Sequence, residues 1–422
     1  MRNAVPDGWQ YLKVGNAIDS SDGGVSVNSE NRVKSCKEFG ILKTSSVVDG
    51  RFYPQEHKAI FNHELERAST NPKKDHILFS RMNTPILVGQ SGFVDRDYDD
   101  LFLPDRLWQL KVNECYSPKW LSYTLRSQIV VKHITDAATG TSNTMKNIAK
   151  PNLMAIPMLC PPLPEQRKIA AILSSVDDVI EKTQAQINKL KDLKVGMMQE
   201  LLTKGIGHTE FKDSPVGRIP VGWEVVRLGE IYTKIIVGYV GSVNEYYCDK
   251  EDGVPFYRTL NIRDGYIRNE PVKYVTTTFN DKNKKSQIFN EDILIARVGA
   301  NLGMTCKVTG VIGTANIANA IIIKSVKTAS SDFYMEYIRS DFGQRQINSG
   351  AAGGAQGVFN TKLAQELIVP VPPVKEQTDI ADKLLSLDVV INRNEKKLSH
   401  QKMLKKALMQ DLLTGKVRVT VD

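Results

Sequence analysis

Two stretches decide the fold: PPLPEQRKIAAILSSVDDVIEKTQAQINKLKDLKVGMMQELLT at residues 161–203 and PPVKEQTDIADKLLSLDVVINRNEKKLSHQKMLKKALMQDLLT at residues 372–414. They align without a gap, so an element that tolerates no insertion occurs twice. The Pro-Pro pair ends a preceding strand, and an acidic residue in the first turn complements the helix dipole. Each stretch therefore predicts a helix that begins near Glu165 or Glu376, and the first would be about 58 Å long.

Apolar residues recur along both predicted helices in alternating steps of three and four, which is typical of a coiled coil. Polar residues interrupt this seam at matching places, Thr183 with Asn394 and Lys194 with Lys405. A narrow stripe favours pairing with another helix, and the intervening chain allows an antiparallel pair. The alternative is two independent surface helices, each packed on its own domain. The residues predicted to pair are Leu173, Val176, Ile180, Ile187, Leu190, Leu384, Leu387, Ile391, Leu398 and Leu408.

The segments that precede the helices are also repeated, with small shifts that indicate loop differences. Matching pairs include Val5–Trp9 with Ile219–Trp223, Lys43-Thr44 with Arg258-Thr259, Ile77–Arg81 with Ile293–Arg297, and Leu125–Ser127 with Ile338–Ser340. So many ordered matches indicate a duplicated unit.

Each front segment reads as mixed structure. Short apolar runs lie between turn residues, and the Asp-Gly pairs at 49–50 and 264–265 predict hairpins or turns. Short helices are predicted at Trp120–Arg126 and Tyr334–Arg339. The predicted fold class is α+β: two similar globular domains with two long antiparallel coiled-coil helices, in a pseudo-twofold repeat. The predicted globular domains span residues 1–160 and 206–371, and the predicted long helices span residues 161–205 and 372–416.

Composition limits the class of protein. The 422 residues carry a formal net charge of +9, which suits a polyanionic partner such as nucleic acid. The five cysteines are scattered, which favours reduced thiols. Neither a signal peptide nor an apolar stretch long enough to span a bilayer is apparent, so we expect a cytoplasmic protein without a membrane partner.

Two variable domains, each followed by a Pro-Pro-x-x-Glu-Gln helix, resemble the specificity subunits of type I restriction–modification systems. Pro161–Gln166 and Pro372–Gln377 are the most specific part, and the resemblance covers nearly the whole chain. It implies that each globular domain recognises one half of an interrupted sequence in double-stranded DNA. It also implies that the helices act as a spacer and dock two methyltransferase subunits. Those partners would bind S-adenosylmethionine, and a translocase–nuclease subunit is a further partner in the family.

Sequence recognition needs side chains that reach base edges, Arg to guanine and Asn or Gln to adenine, while phosphates are contacted by Arg, Lys, Ser and Thr. Polar residues at strand ends and in loops of the repeated segments are the candidates. The predicted DNA-binding residues are Lys43, Thr44, Ser45, Arg81, Asn83, Ser142, Asn143 and Lys146 in the first domain, and Arg258, Thr259, Asn261, Arg297, Asn301, Gln356 and Asn360 in the second.

Arg81 and Arg297 recur at the same place in both halves. Two different half-sites need different base contacts, so this recurrence suits a phosphate contact or a shared ion pair better than a base contact. The alternative for every candidate is an ordinary solvated side chain.

The sequence contains no methyltransferase, metal-nuclease or nucleophile-elbow motif, and a Ser–His–Asp site without that elbow stays open. Adenine methyltransferases carry an Asp/Asn-Pro-Pro-aromatic motif, but Leu163 and Val374 follow the two Pro-Pro pairs. Asp97, Asp99 and Asp100 are clustered but read as a solvated turn, and His57 and His63 lack the cysteine partners of a zinc site and read as surface or loop residues. We therefore expect a subunit without catalysis, metal or cofactor of its own. The competing hypothesis is a coiled-coil scaffold that binds proteins and does not recognise DNA sequence.

Overall fold

The structure, a computed structural model, describes residues 5–142, 145–352 and 357–421. The chain divides into two units, Met1–Gln184 with Lys397–Asp422 (unit 1) and Ala185–Lys396 (unit 2). Each unit is α+β, as the sequence predicts. No helix in the described part of the chain is long and apolar enough to cross a membrane.

Unit 1 contains a six-stranded sheet of order β2-β12-β8-β10-β6-β5, a four-stranded sheet of order β11-β4-β7-β3, a three-stranded sheet β13-β14-β9 and the pair β1-β15. The strands are β1 (Gln10–Lys13), β2 (Ile18–Gly23), β3 (Ser29–Glu30), β4 (Gly40–Leu42), β5 (Val47–Val48), β6 (Gly50–Phe52), β7 (His57–Ile60), β8 (His76–Ser80), β9 (Met82–Asn83), β10 (Ser91–Phe93), β11 (Leu101–Phe102), β12 (Leu107–Val112), β13 (Thr139–Ser142), β14 (Met145–Asn147) and β15 (Pro157–Cys160). The short helices are α1 (Pro118–Leu125), α2 (Gln128–Ala137) and α3 (Lys150–Met154).

The long helix α4 (Leu163–Lys204) follows and runs from unit 1 into unit 2. In unit 2 the sheets are β19-β29-β26-β27 and β20-β24-β21-β28-β25, with the pairs β16-β17, β18-β30 and β22-β23. The strands are β16 (Phe211–Ser214), β17 (Gly217–Pro220), β18 (Glu224–Arg227), β19 (Ile235–Val237), β20 (Tyr247–Cys248), β21 (Gly253–Tyr257), β22 (Ile262–Arg263), β23 (Tyr266–Ile267), β24 (Lys273–Thr276), β25 (Gln287–Ile288), β26 (Ile293–Ala296), β27 (Thr305–Lys307), β28 (Ala315–Ile317), β29 (Ala320–Ile323) and β30 (Ile368–Val371). The helices are α5 (Leu228–Ile231), α6 (Thr277–Lys282), α7 (Ser331–Arg339), α8 (Asp341–Ala352), α9 (Thr361–Gln365) and the long helix α10 (Val374–Leu413).

The two Asp-Gly pairs form hairpins, as predicted. β5 pairs antiparallel with β6 around Asp49-Gly50, and β22 pairs with β23 around Asp264-Gly265. Both glycines have positive φ, 72° at Gly50 and 82° at Gly265, which a residue without Cβ adopts at little cost.

The two short helices begin earlier than predicted. The Ser117 hydroxyl accepts a hydrogen bond from Trp120 N, and the Ser330 hydroxyl accepts one from Phe333 N. A serine N-cap pairs an amide at the start of the helix that would otherwise lack a partner. The helices α1 and α7 therefore begin directly after these serines.

The recurring Glu-Gln of the long helices joins each helix to its own unit. Trp9 Nε1 donates to Glu165 Oε2 at 3.2 Å, and Trp223 Nε1 donates to Glu376 Oε2 at 3.1 Å. The side chain of Gln166 accepts from Ser117 N at 2.9 Å, and Gln377 accepts from Ser330 N at the same distance. The motif thus fixes the start of each helix against the cap of a short helix, which explains why both residues recur.

Within each unit the two long helices run antiparallel. In unit 2, Lys191 Nζ lies 2.7 Å from Glu395 and Lys194 Nζ lies 2.6 Å from Asp388, so the contact partners descend as the first helix ascends. In unit 1, Asp177 contacts Lys405, while Glu165 at the start of α4 contacts Arg418 beyond the end of α10. Independent surface helices are therefore excluded.

The hydrophobic cores are built where the long helices meet the globular part of their unit. In unit 1, Leu173 and Leu412 pack in one cluster with Trp120 and Phe79. In unit 2, Leu202 and Leu384 pack in one cluster with Trp223 and other large side chains. Burial of such side chains is the main source of stability, and it ties the helices to the α+β units.

Candidate nucleic-acid interface

Unit 2 brings most of its predicted DNA-binding residues into one cluster at strand ends. Arg258 follows β21, and Arg297 follows β26. Asn301 Nδ2 donates to the carbonyl of Thr259 at 3.3 Å, which joins these two segments. Phe359 N donates to the carbonyl of Arg297 at 3.0 Å, which brings the neighbouring Asn360 to the same region. We call Arg258, Thr259, Arg297, Asn301 and Asn360 the strand-end cluster.

Two arginines of the strand-end cluster have no counter-charge among the described residues. The Nε atoms of Arg258 and Arg297 are buried and have no hydrogen-bond partner in the part of the chain that the structure describes. Neither guanidinium makes an ion pair with a described residue, although both side chains are half-buried. A buried donor without a partner costs about 1–3 kcal/mol. Such arginines are therefore suited to an acceptor supplied by a ligand.

The side chain of Asn261 is hydrogen-bonded within the chain, which argues against the DNA contact predicted for it. Its side chain is fully buried, and Nδ2 donates to the carbonyls of Arg268 and Pro271 at 2.9 and 3.0 Å. Oδ1 accepts from Arg258 N at 3.0 Å. Because all these groups lie within the chain, the structure favours Asn261 as a support for the segment after Arg258. Asn360 is exposed, and its Oδ1 caps α9 by accepting from Leu363 N.

In unit 1, Asn83 and Lys146 lie directly opposite each other on the paired strands β9 and β14. Arg81 precedes β9, and its Nε donates to the carbonyl of Asp105 at 2.7 Å. The guanidinium also lies over the ring of Trp108, 5.8 Å from its centroid. The Arg81 guanidinium is thus partly engaged within the chain, and it also lies 3.9 Å from the Asp105 carboxylate, whereas Nε of its counterpart Arg297 has no partner among the described residues.

Lys43, Thr44 and Ser45 form a separate group after β4. Lys43 Nζ lies 3.7 Å from Glu56, and the Ser45 hydroxyl donates to the same carboxylate at 2.9 Å. No hydrogen bond or ion pair between described residues joins this group to Arg81, Asn83 or Lys146. Asn143 and Gln356 lie outside the described residues, and so does the side chain of Ser142, whose backbone is in β13.

The predicted pairing residues lie on the covered side of the long helices. Leu173, Ile180, Ile187, Leu384, Ile391 and Leu398 are buried, and Val176, Leu190, Leu387 and Leu408 are half-buried. The polar seam residues Lys194 and Lys405 each contact an aspartate on the other helix. The assignment of the ten residues to helix pairing stays a prediction.

Two expectations about charged groups need correction. His57 is buried in β7, where Nδ1 lies 2.7 Å from the carbonyl of Pro54, so it is not a surface residue. The aspartates near residue 99 are not simply solvated, because Lys73 contacts Asp99 and Lys34 contacts Asp100, each at 2.7 Å. Within the described ranges, no group of three or more His, Cys, Asp or Glu side chains could hold a metal ion.

Sequence reasoning missed a cluster of charges in unit 2. Lys194 Nζ contacts Asp388 at 2.6 Å and Glu336 at 3.0 Å, and Arg339 Nε contacts Asp264 at 2.7 Å. The recurrence of an Arg-Ser pair at 126–127 and 339–340 was a signal for it. We call Lys194, Asp264, Glu336, Arg339 and Asp388 the unit 2 ion cluster.

Known proteins similar to this chain agree with the duplicated α+β architecture. The family model "Type I restriction modification DNA specificity domain" matches residues 44–192 and 220–401. The putative type I restriction enzyme MjaX specificity subunit of Methanocaldococcus jannaschii is 33% identical over 358 residues, covering 81% of this chain and 78% of that protein. The MjaVIII specificity subunit of the same organism is 28% identical over 437 residues, covering 98% and 94%.

A solved structure shows the same fold. The crystal structure of the type I restriction–modification S subunit from M. genitalium matches with a TM-score of 0.61 and 16% sequence identity, covering 100% of this chain and 99% of that one. The family match spans both repeats, well over half of the chain. This chain belongs to the family of type I restriction–modification DNA specificity subunits.

Proposed function

We propose that this chain is the sequence-reading subunit of a type I restriction–modification complex, and that each globular domain reads one half of a bipartite DNA site. One observation supports this most directly: the scaffold is duplicated, but the polar side chains at matching positions differ. Lys43 corresponds to Arg258, and Asn83 corresponds to Gly299. A repeated scaffold with different donors suits two different half-sites. The long helices set their spacing, and catalysis belongs to partner subunits that bind S-adenosylmethionine.

The decisive experiment maps methylated adenines across the genome of a host that expresses the partner methyltransferase subunits, with and without this gene. An interrupted motif that is methylated only in the presence of the gene identifies the chain as the sequence reader. Unchanged methylation would contradict the proposal.

Exchanging residues 1–160 for the corresponding domain of another family member is expected to change one half of the methylated motif completely and leave the other half intact. The physical reason is that each unit has its own hydrophobic core and its own polar surface. The readout is the same methylation map. A swap that altered both half-sites would disprove independent reading.

A protein-binding scaffold remains the second candidate, supported by the exposed apolar residues on the long helices. The two functions differ in salt dependence. A DNA-binding chain loses affinity steeply as salt rises because phosphate contacts release counterions. A scaffold would show no such loss for any DNA.

The proposal also includes the docking of two methyltransferase copies on the long helices. Two copies of one partner must meet the same side chains twice, so docking residues should be exposed and should recur. Val179 and Val390 match in the helix alignment and are 47% and 41% exposed. Leu193 and Leu404 also match and are 50% and 55% exposed. Exposed aliphatic side chains at matching positions are suited to a partner surface.

The position of these residues supports one docking flank in each unit. Each lies one residue before a seam position, Val179 before Ile180 and Leu193 before Lys194. In an antiparallel pair such positions on both helices flank the same side of the seam. In unit 2 the ion pair Lys191–Glu395 occupies the other flank. Docking is therefore assigned to Leu193 with Val390 in unit 2, and to Val179 with Leu404 in unit 1.

The double variant Leu193→Lys, Leu404→Lys is expected to weaken methyltransferase binding more than ~10-fold at both sites, because a charge must be desolvated in each apolar contact. Native mass spectrometry of the assembled complex measures how many methyltransferase copies remain. Leu404→Lys alone should remove one copy. The control is Met403→Lys, since Met403 is exposed but Asp192 occupies its matching position. Equal losses in the control would contradict the assignment.

A further inference from the structure

In the unit 2 ion cluster, every cation is paired with carboxylates. Lys194 and Arg339 are almost fully buried, and three carboxylates surround them. Glu336, which is completely buried, contacts both cations. Asp388 also contacts both, and Asp264 contacts Arg339. No cation of this cluster therefore lacks a counter-charge.

The matching cations in unit 1 are not balanced in this way. Arg126 matches Arg339, and Lys405 matches Lys194, but Tyr123 stands where unit 2 has Glu336. Lys405 contacts Asp177, which also accepts from the Tyr123 hydroxyl at 2.7 Å. The Arg126 guanidinium makes no hydrogen bond or ion pair with a described residue. It lies over the Tyr123 ring, 5.4 Å from its centroid, and beside Gly50.

The pKa values of the two cations are consistent with this imbalance. Burial lowers the pKa of Arg126. Burial, together with the nearby charge of Arg126, lowers the pKa of Lys405 despite its contact with Asp177. In unit 2 the opposite holds, because hydrogen bonding to Asp264 and the charge of Glu336 raise the pKa of Arg339 against the effect of burial. Asp177 and Asp49 offset the effect of burial on the pKa of Arg126 only in part, and among the described residues the two cations of unit 1 contact fewer carboxylates than those of unit 2.

Arg126 and Lys405 line a cavity of about 610 Å³ in unit 1. Its walls come from the start of α2, from β15 and from α10. Among the described residues, the charged ones that line the cavity are all cations, Arg126, Lys402, Lys405, Lys406 and Lys416, and none is a carboxylate. Its apolar lining includes Ile129, Met158, Leu159, Met409 and Leu413. We call this the cationic cavity.

We propose that the cationic cavity binds an acidic amphipathic helix of a partner protein, one per chain, whose carboxylate supplies the counter-charge that Glu336 provides in unit 2. Lys402, Lys406, Met409 and Leu413 follow one face of α10 in steps of three and four, over about 16 Å. A helix with carboxylates beside apolar side chains matches both the charge and the apolar surface of this strip. A DNA backbone would leave the apolar lining in contact with water.

In unit 2, the matching residues Lys191, Lys194 and Arg339 line a cavity of about 750 Å³, and its charges are the reason to expect only one bound helix per chain. Its lining mixes both signs of charge, with Asp264, Asp332, Asp388 and Glu395 beside Lys191, Lys194, Lys307 and Arg339. An acidic helix would bind weakly in this cavity, because carboxylates of the chain already pair with its cations. The cationic cavity also lies on the flank of α10 away from Leu404, so this partner contact differs from methyltransferase docking and does not depend on it.

The test uses the full chain and a fluorescein-labelled synthetic helix with leucine on one face and glutamate on the other. Fluorescence anisotropy is expected to show saturable binding of one peptide per chain. The double variant Lys402→Gln, Lys406→Gln should weaken binding ~10-fold or more, and the same peptide with glutamine for glutamate should bind as poorly to the unaltered chain. Arg126→Met should weaken binding as well.

The matched control, Lys189→Gln with Lys191→Gln, removes two lysines from the corresponding helix of unit 2 and should leave peptide affinity unchanged. Two peptides per chain, equal affinity for the glutamine peptide, an equal loss in the control or no saturable binding would each overturn the proposal. Duplex DNA is the last competitor to be tested. If duplex DNA displaces the peptide and Lys402→Gln, Lys406→Gln weakens DNA binding equally, the cavity is a phosphate contact and the proposal is wrong.

Discussion

Arg339→Met is expected to lower the free energy of unfolding by about 3–5 kcal/mol, because it leaves buried carboxylates without their partner. The Arg339 side chain is 9% exposed, and that of Glu336 is fully buried. Methionine keeps much of the volume, so the loss reports charge and hydrogen bonding more than packing. Urea unfolding followed by circular dichroism measures it.

The destabilisation should depend on pH, and the sign follows from the two carboxyl groups. Burial raises the pKa of Glu336. A raised carboxyl pKa gives stability at low pH that is lost as the pH rises through the folded-state value. Removing Arg339 takes away a counter-charge and raises the pKa of Glu336 further. The variant therefore recovers stability as the pH falls.

Asp264 also makes the destabilisation by Arg339→Met smaller at low pH. Against the effect of burial, the Arg339 guanidinium lowers the pKa of Asp264. A lowered carboxyl pKa gives stability above the ordinary value that is lost as the pH falls through the folded-state value. The unaltered chain has this acid-sensitive contribution and Arg339→Met does not. The difference between the two proteins should thus be largest near neutral pH and shrink in acid.

Arg126→Met is the matched control in unit 1. Arg126 has no ion pair with a described residue, and its charge disfavours the protonated form of Lys405. Its removal should leave the free energy of unfolding unchanged or raise it slightly. Equal destabilisation by both substitutions would contradict the difference between the two ion clusters.

Arg258→Met and Arg297→Met are expected to weaken binding of the assembled complex to its target DNA by about 1–3 kcal/mol each, that is ~5- to 150-fold. Both arginines have buried Nε donors without a partner in the described chain, so DNA acceptors can satisfy them. Titration of labelled duplexes that vary one half-site at a time measures the effect. Only the half-site read by unit 2 should be affected.

The pattern of the loss distinguishes the type of contact. A base contact relaxes discrimination at one base pair, whereas a phosphate contact weakens all sequences and reduces the salt slope by about one. Arg218→Met is the control, because it removes one exposed cation of unit 2 outside the strand-end cluster. If the control and the two variants lose affinity equally, the strand-end cluster has no special role.

The repeat and the long helices could be predicted from sequence because their signals are local. The steps of three and four from Leu173 to Leu201 indicate a helix without knowledge of any distant residue. The structure adds only small shifts, with α4 beginning at Leu163 and α10 at Val374. The signal for the Asp-Gly hairpins was equally local, since glycine adopts a positive φ because it lacks a Cβ atom.

Site residues were harder to predict because exposure and pairing depend on distant parts of the chain. Arg81 and Arg297 look alike in sequence, but the carbonyl of residue 105 accepts a hydrogen bond from Arg81 Nε, whereas no described residue accepts one from Arg297 Nε. Asn261 looked like a donor for DNA and is buried under carbonyls of residues 268 and 271.

The sequence by itself determined that this protein is a duplicated α+β chain with two long helices, and its recurring motifs placed it in its family. The tertiary structure alone decided which recurring charges are balanced, since the partners of Arg339 come from residues 264, 336 and 388. Helical periodicity is set by neighbours along the chain. The pKa of a charged group depends on its burial and on counter-charges that only folding brings within contact distance.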